Sequence, residues 1–189
     1  MRCAVIGSGL SAKDFDFNSI SKGFFTIGVN AGIRLCSCDA MVFIDAVAAD
    51  IYKDDIEKFE GQIFCSTRAT VRIHELDMPI NFKSFDLQYN DIARTWEEPF
   101  MGMMSGLSAL NLATLMEPKE IYLIGYDLYP GHMFEHEWAK GKGHSDSTYA
   151  HEWTMNKIAN KFDYFKNVKT PIYNCNPLSR IKTFPFKLP

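Results

Sequence analysis

The feature that most constrains this chain is a series of short runs of β-favouring residues, each ending in small or polar residues. Several runs are apolar throughout instead of alternating with polar residues, which is typical of strands that are buried on both faces of a sheet. The runs comprise residues 3–7, 24–29, 40–44, 62–66, 80–85, 120–125 and 171–174. We therefore predict a sheet of about seven strands, with the runs at 62–66 and 80–85 as the weaker candidates.

Segments with apolar residues at helical spacing lie between these runs, at 51–59, 105–116 and 148–165. The segment 105–116 has the clearest pattern, with Ser105 in position to cap its start and Pro118 just beyond its end. Strands that alternate with helices predict an α/β fold, with a doubly wound, mainly parallel sheet covered by helices on both faces. Because the chain has 189 residues and no linker-like segment, we expect residues 1–189 to form a single domain.

Composition excludes several classes of protein. Twenty basic and 23 acidic residues give a net charge of −3, so we expect no nucleic-acid partner. No apolar stretch approaches the roughly 18 residues of a membrane span, and the first residues do not resemble a signal peptide. The five cysteines lie mostly in apolar runs, where a free thiol behaves as a small hydrophobic group. We expect a cytoplasmic protein.

The loop after the first run is a candidate site for an anion. In sheets of this type, ligands lie outside the carboxyl ends of the strands. Gly7 and Gly9 would let backbone amides approach a phosphate, and the hydroxyls of Ser8 and Ser11 would add donors. The loop lacks the third glycine of the dinucleotide-binding motif and the Gly-Lys-Ser/Thr of a Walker loop. The alternative is a tight turn between strand and helix that binds nothing.

Further candidates for ligand binding follow other strands or begin a helix: Asn30, Asp45, Ser105, Gly106 and Asp127. The Ser105–Gly106 pair would present free amides at the positive end of a helix dipole, or would serve only as a cap. Asp127 would accept a hydrogen bond from a ligand hydroxyl, or would cap its own loop.

Four of the five histidines fall within twenty residues: His132, His136, His144 and His151. His132 and His136 have a spacing that suits two metal ligands on one helical face, but the segment lacks an HExxH motif, so we predict no metal site. His144 lies in a glycine-flanked segment, where an imidazole could act as a general base. The alternative for His144 is an exposed loop histidine without a catalytic role.

Taken in order, these motifs resemble those of the bacterial lipooligosaccharide sialyltransferases. The motifs comprise residues 6–11, 28–30, 105–106, 120–129, 143–145 and 176–179, so the similarity spans nearly the whole chain. Its most specific part is the strand that ends in Gly-x-Asp-x-Tyr at residues 125–129.

The resemblance implies a single Rossmann-like domain that uses CMP-sialic acid as sugar donor, a glycan or small hydroxyl compound as acceptor, and no required cofactor. It implies that residues 7–11, Asn30 and Asp127 hold the nucleotide. Ser105 and Gly106 would face the ribose or the sugar phosphate. Asp45 would follow the third strand at a position where the family has a polar residue, although Asp is not its usual choice.

The resemblance also implies two catalytic roles. Tyr129 would assist the departing phosphate, and His144 would deprotonate the acceptor hydroxyl. The chain departs from the family at Gly102, where the family has an arginine, and in the lid-like loop at about 130–147, which is shorter than the family's.

The motifs also resemble, more weakly, those of the pterin diphosphokinase-like and flagellin-associated proteins, some of which use ATP and Mg²⁺. Under that alternative, Asp45 and Asp127 would be metal carboxylates. A non-catalytic nucleotide-binding relative is a third alternative, and each of the three allows a homo-oligomer.

Overall fold

Seven parallel strands form the central sheet of the structure, a computed structural model that describes residues 1–20, 22–129 and 152–189. The strands are β1 (Arg2–Ile6), β2 (Phe24–Val29), β3 (Ala40–Phe43), β4 (Gln62–Ser66), β5 (Phe82–Phe85), β6 (Leu87–Gln88), β7 (Phe100–Met101), β8 (Ile121–Ile124) and β9 (Ile172–Asn174). The central sheet has the order β5-β4-β3-β2-β1-β8-β9, and β6 pairs with β7 in a small second sheet. All seven predicted strands are confirmed, and only their ends differ.

The strand order reverses between β1 and β8. The chain first adds strands outward from β1 to β5 and then returns to place β8 on the other side of β1, with Ile6 opposite Ile124. This is the doubly wound arrangement that the sequence predicts. In such sheets the reversal opens a crevice at the carboxyl ends of the two strands, where ligands bind.

The described helices are α1 (Ala46–Ile51), α2 (Lys53–Glu57), α3 (Thr67–Glu75), α4 (Ser105–Leu115) and α5 (Glu152–Lys161). Helices α4 and α5 pack on the face of the sheet that carries Cys3 and Val5, whereas α1, α2 and α3 cover Met41 and Phe43 on the other face. The alternation of side chains along each strand explains this division, because neighbouring residues point to opposite faces. Helices on both faces are thus confirmed.

Two helices differ from the sequence prediction. In place of a helix at 51–59 the chain forms α1 and α2, which meet at Tyr52, where ψ is 18° and the backbone leaves the helical region. Sequence patterning missed α3 altogether, because its apolar residues alternate along the sequence, which does not predict a helix. Its start is fixed by Ser66, whose hydroxyl accepts a hydrogen bond from the amide of Ala69 at 3.2 Å.

Helix α4 is buried on every side from Ser105 to Ala113, which explains why it carries a polar residue in its interior. The Asn111 side chain is fully buried and accepts hydrogen bonds from the amides of Ala93 (2.8 Å) and Met101 (2.9 Å). Its amide group also donates to the carbonyl of Ala93 at 2.9 Å. One side chain thus satisfies three backbone groups of the segment that precedes α4.

The last residues of the chain cover the outer edge of β9. Asn174 and Phe186 form an isolated parallel bridge. The Lys187 ammonium group pairs with Glu120 and lies 4.2 Å from the centre of the Tyr173 ring. The hydrogen bond from Lys187 holds the pKa of the Glu120 carboxyl below its usual range. Within the described residues, no helix is long and apolar enough to cross a membrane.

We expect Asn111→Ala to lower the free energy of unfolding by about 3 kcal/mol, because three buried backbone groups lose their partners. This corresponds to a fall in melting temperature of roughly 6–12 °C, measured by circular dichroism. Asn160→Ala is the matched control, since Asn160 is an exposed helical asparagine on α5. Equal melting temperatures for the two variants would show that the Asn111 network does not stabilise the fold.

Candidate functional site

The loops that follow β1 and β8 pack backbone against backbone at the reversal of strand order. The amide of Gly9 donates to the carbonyl of Gly125 at 2.9 Å, and the amide of Gly7 donates to that of Ile124 at 2.8 Å. A Cβ atom at Gly9 would lie 2.4 Å from the oxygen of Gly125, and one at Gly7 would lie 2.8 Å from it. Both glycines are therefore required for the approach of the two loops, whether or not a ligand is bound.

Asp127 joins three loops at this edge. Its carboxylate, only 3% exposed, accepts hydrogen bonds from the amide and hydroxyl of Ser11 and from the side-chain amide of Asn176 at 2.7 Å. The loops after β1, β8 and β9 are thus held together by one buried carboxylate. These contacts match the alternative in which Asp127 caps its own loop. The amide and hydroxyl of Ser11 are both used in bonding to Asp127.

Asn30 follows β2 and begins a 3₁₀ helix (Asn30–Arg34) that lies against the end of β1. Its φ of 50° places it in the left-handed region, which asparagine tolerates better than most residues. The close contact is at Gly32, where a Cβ would lie 2.1 Å from the carbonyl oxygen of Ile6. The Asn30 Oδ1 atom is buried and has no hydrogen-bond partner among the described residues.

Ser105 does not cap α4, so that prediction was wrong. The extended residue before the helix is Met104, and Ser105 is the first helical residue, with its Oγ atom buried and without a partner in the described part of the chain. Tyr126 contacts the first turn of this helix, where its hydroxyl donates to the carbonyl of Gly106 at 3.0 Å. Burial raises the pKa of Tyr126 well above its usual value, so it remains a neutral donor.

Within residues 1–20, 22–129 and 152–189, the buried polar side-chain atoms that lack a hydrogen-bond partner all lie at this edge. Besides Asn30 and Ser105, the third is the Nδ2 atom of Asn174, the last residue of β9. A buried polar atom without a hydrogen bond costs about 1–3 kcal/mol, so the occurrence of all three such atoms at one edge of the sheet indicates a place where a ligand could supply the partners. Sequence reasoning missed Asn174, although its position at the end of a strand could have identified it.

Tyr129 and Arg180 lie together near Asp127. The Tyr129 hydroxyl donates to the carbonyl of Leu178, and the Arg180 guanidinium lies 4.9 Å from the centre of the Tyr129 ring. The amide of Arg180 donates to the carbonyl of Asp127 at 3.1 Å, and its side chain bonds Asn156 at 2.9 Å. The sequence analysis did not select Arg180. The available signal was its position directly after the motif at 176–179.

The remaining candidates differ in what surrounds them. Ser8 is buried, whereas Asp45 is exposed and precedes α1 without forming a side-chain cap. Gly102, where the resemblance would place an arginine, is buried with its Cα hydrogen facing β6. A Cβ there would lie 3.1 Å from the carbonyl oxygen of Gln88. A side chain at this position would therefore contact β6 closely, and β6 would have to shift by a few tenths of an ångström.

Several predicted features lie outside the described residues: His132, His136, His144, His151 and the lid-like loop at 130–147. Among the residues that the structure does describe, no group of three or more His, Cys, Asp or Glu side chains is placed to hold a metal ion.

Comparison with known proteins gives matches in structure only, because no protein-family model and no curated protein matches the chain. A crystal structure of the sialyltransferase CST-II in complex with trisaccharide acceptor and CMP is similar with a TM-score of 0.62 and 18% identity, covering 100% of this chain and 86% of that one. CstII from Campylobacter jejuni in complex with the substrate analogue CMP-3FNeuAc gives a TM-score of 0.56 and 16% identity, with the same coverage of both chains. The protein therefore has the fold of these sialyltransferases over its whole length.

Proposed function

We propose that this protein is a glycosyltransferase of the sialyltransferase type, which binds a CMP-activated sugar at the carboxyl edge of its sheet and transfers the sugar to a glycan hydroxyl. The observation that carries this proposal is that the buried polar atoms of Asn30, Ser105 and Asn174, which have no hydrogen-bond partner in the described part of the chain, all lie at that edge. Solved proteins of the same fold hold CMP, which agrees with a nucleotide as the ligand.

The start of α4 is the position that best suits the phosphate. Among the described residues, the first amide of this helix with a hydrogen bond is that of Leu107, which donates to the carbonyl of Met104 at 3.1 Å. The amides of Ser105 and Gly106 precede it and lie at the positive end of the helix dipole, beside the unpartnered Ser105 hydroxyl. A phosphate oxygen would accept hydrogen bonds from these groups.

Asn30 suits the nucleoside part of the donor. Its unpartnered Oδ1 is an acceptor, and a ribose hydroxyl or the amino group of cytosine is a donor that would complete it. The 3₁₀ helix that carries Asn30 packs on the end of β1 through Gly32, so the acceptor is held on a rigid part of the fold. Gly7, Gly9, Ser11 and Asp127 would then shape the floor of the site, because their own polar groups are bonded within the loops.

Arg180, which was not among the residues predicted from the sequence, is a cationic residue beside Tyr129 and a candidate to contact the donor. The sugar of the proposed donor carries a carboxylate in addition to the phosphate, and a guanidinium binds both types of anion. The contact of Arg180 with Tyr129 brings this charge next to the residue to which the resemblance gives a role at the phosphate.

The proposed reaction is a single displacement. The imidazole of His144 removes the proton of the acceptor hydroxyl, whose oxygen bonds to the anomeric carbon of the sugar. The bond from that carbon to the phosphate oxygen breaks, and CMP departs with the electron pair. Tyr129 would donate its hydroxyl hydrogen to the phosphate in place of the carbonyl of Leu178.

We expect CMP to stabilise the protein against heat. A ligand at about 100 times its Kd raises the free energy of unfolding by roughly 2.7 kcal/mol, or about 5–11 °C in melting temperature for a chain of this size. UMP, GMP and ATP with Mg²⁺ serve as comparisons in the same thermal-shift assay. Stabilisation by ATP with Mg²⁺ but not by CMP would contradict the proposal and favour a diphosphokinase, and no shift with any nucleotide would contradict both enzymes.

We expect Ser105→Ala to weaken CMP binding about five- to tenfold, because one hydrogen bond to the ligand is lost. The same change should not lower stability without ligand, since the hydroxyl has no partner to lose among the described residues. Ser108→Ala is the matched control, because the Ser108 hydroxyl donates to the carbonyl of Met101 at 2.7 Å. It should lower the melting temperature and leave the Kd of CMP unchanged. Calorimetry that gives Ser105→Ala the wild-type Kd would remove Ser105 from the site.

We expect His144→Ala to lower the rate of sugar transfer by about 100-fold or more, with unchanged affinity for CMP, because only the proton transfer is removed. His74→Ala serves as a control, since His74 is an exposed histidine on α3. Transfer from CMP-sialic acid to a lactose-type acceptor is the assay. Equal rates in the His144 variant and the wild type would rule out His144 as the base.

A further inference from the structure

Cys36 and Cys38 lie side by side in the loop that leads from the 3₁₀ helix Asn30–Arg34 to β3. Their sulfur atoms are 4.0 Å apart, and the Cys38 thiol also points toward the carbonyl of Cys36 at 3.5 Å. Both side chains are partly exposed, so a small reagent has access to them. None of the ligand-binding roles considered above uses this pair.

The pKa values of the two thiols are shifted in opposite directions, which gives the thiols different chemical roles. The hydrogen bond with the Cys38 side chain lowers the pKa of Cys36, against the opposing effects of burial and Asp39. The same hydrogen bond, together with burial, raises the pKa of Cys38. A thiolate is the nucleophilic form of cysteine, so Cys36 is the cysteine that reacts first. Cys38 is the cysteine that reacts in a second step.

In the other three cysteines the pKa is raised, in contrast to that of Cys36. Burial raises the pKa of Cys3, Cys65 and Cys175 to about 12 in each case. These thiols therefore hold their protons at neutral pH and should react slowly. The contrast makes the reaction of Cys36 selective within this chain.

The surroundings hold Cys38 in place and leave Cys36 on a bend of the loop. The Cys38 sulfur lies 3.0 Å from where a Cβ of Gly28 would be, so Cys38 packs directly on β2. The next residue, Asp39, is fixed to β2 by hydrogen bonds from the amide (2.7 Å) and hydroxyl (2.8 Å) of Thr26. Closing the sulfur–sulfur distance to a bond of about 2 Å thus requires a movement of about 2 Å, which falls on Cys36.

We propose that Cys36 and Cys38 form a redox-active dithiol that a hydroperoxide converts into an intramolecular disulfide and that a thiol reductant reopens. The Cys36 thiolate attacks one oxygen of the hydroperoxide and the O–O bond breaks. This gives a sulfenic acid on Cys36 and, after uptake of one proton, an alcohol or water. The sulfur of Cys38 then attacks the sulfur of Cys36, the S–O bond breaks, and the hydroxide leaves as water with the proton of Cys38.

The first step prepares the second. Hydrogen bonding to Cys36 and its negative charge are both causes of the raised pKa of Cys38, and the conversion of Cys36 to a neutral sulfenic acid removes them. Because a single residue separates the two cysteines, the disulfide closes a small ring, and strained or accessible disulfides are the ones that reductants open readily. The pair is therefore suited to reversible oxidation and not to a permanent crosslink.

Titration of the intact protein with hydrogen peroxide, followed by peptide mass mapping, tests this proposal. We expect the peptide with residues 36–38 to lose about 2 Da at peroxide concentrations that leave the other cysteines unmodified, and dithiothreitol to restore its mass. In Cys38→Ser, the sulfenic acid on Cys36 should persist and be trapped by dimedone. In Cys36→Ser, the remaining thiol should react at least tenfold more slowly.

Two results would overturn the proposal. One is modification of Cys175 before the pair, and the other is an equal rate of peroxide consumption by Cys36→Ser and the wild type. Circular dichroism of each variant shows whether it is folded. Cys36→Ala and Cys38→Ala provide second variants at the same positions if a serine variant fails to fold.

Discussion

The contact on which the candidate site depends is the approach of two backbones at the reversal of strand order, where Gly7 and Gly9 meet Gly125. This approach is close enough that the carbonyl of Gly125 both accepts a hydrogen bond from Gly9 and occupies the space of its missing side chain. Asp127 follows two residues later and fixes the same loops through Ser11 and Asn176. The glycines and the aspartate thus form one unit, and the position of each neighbouring side chain at the edge follows from it.

Buried polar groups in this protein fall into two sets. Asn111, Ser108 and Ser66 satisfy backbone groups of their own chain, and each ties a helix to the segment beside it. The Oδ1 atom of Asn30 and the Oγ atom of Ser105 have no hydrogen-bond partner within the described residues. The first set explains why the fold holds together, and the second indicates where another molecule completes it.

The sequence predicted the sheet well because runs such as those at 120–125 and 40–44 are apolar throughout and have few alternatives to a buried strand. It predicted α4 from the helical spacing of its apolar residues and from Pro118 beyond its end, but it assigned Ser105 to the wrong position. The preference of serine for a cap does not distinguish the residue before a helix from its first residue. Helix α3 was missed because its apolar residues Ala69, Val71 and Ile73 alternate along the sequence, which does not predict a helix, and Val71 is exposed.

The sequence could predict at which edge of the sheet the candidate site lies, but not which contacts its residues make. Strand ends identified Asn30 and Asp127, yet only three-dimensional packing could show that the Asp127 carboxylate is bonded within the protein while the Oδ1 atom of Asn30 has no partner among the described residues. Arg180 and Asn174 come from the last 16 residues, and they reach the edge through the β9 segment that joins β8. No local sequence pattern predicts a contact between residues so far apart in the chain.

The burial of α4 has a consequence for how the nucleotide that we propose as the ligand would be recognised. A helix that is enclosed from Ser105 to Ala113 cannot shift or rotate to follow a ligand, so its first amides keep their directions before and after binding. Little conformational entropy is then lost on that side of the complex. An anion of the wrong size or shape gains nothing from rearrangement, and discrimination at this end of the site is a matter of rigid fit.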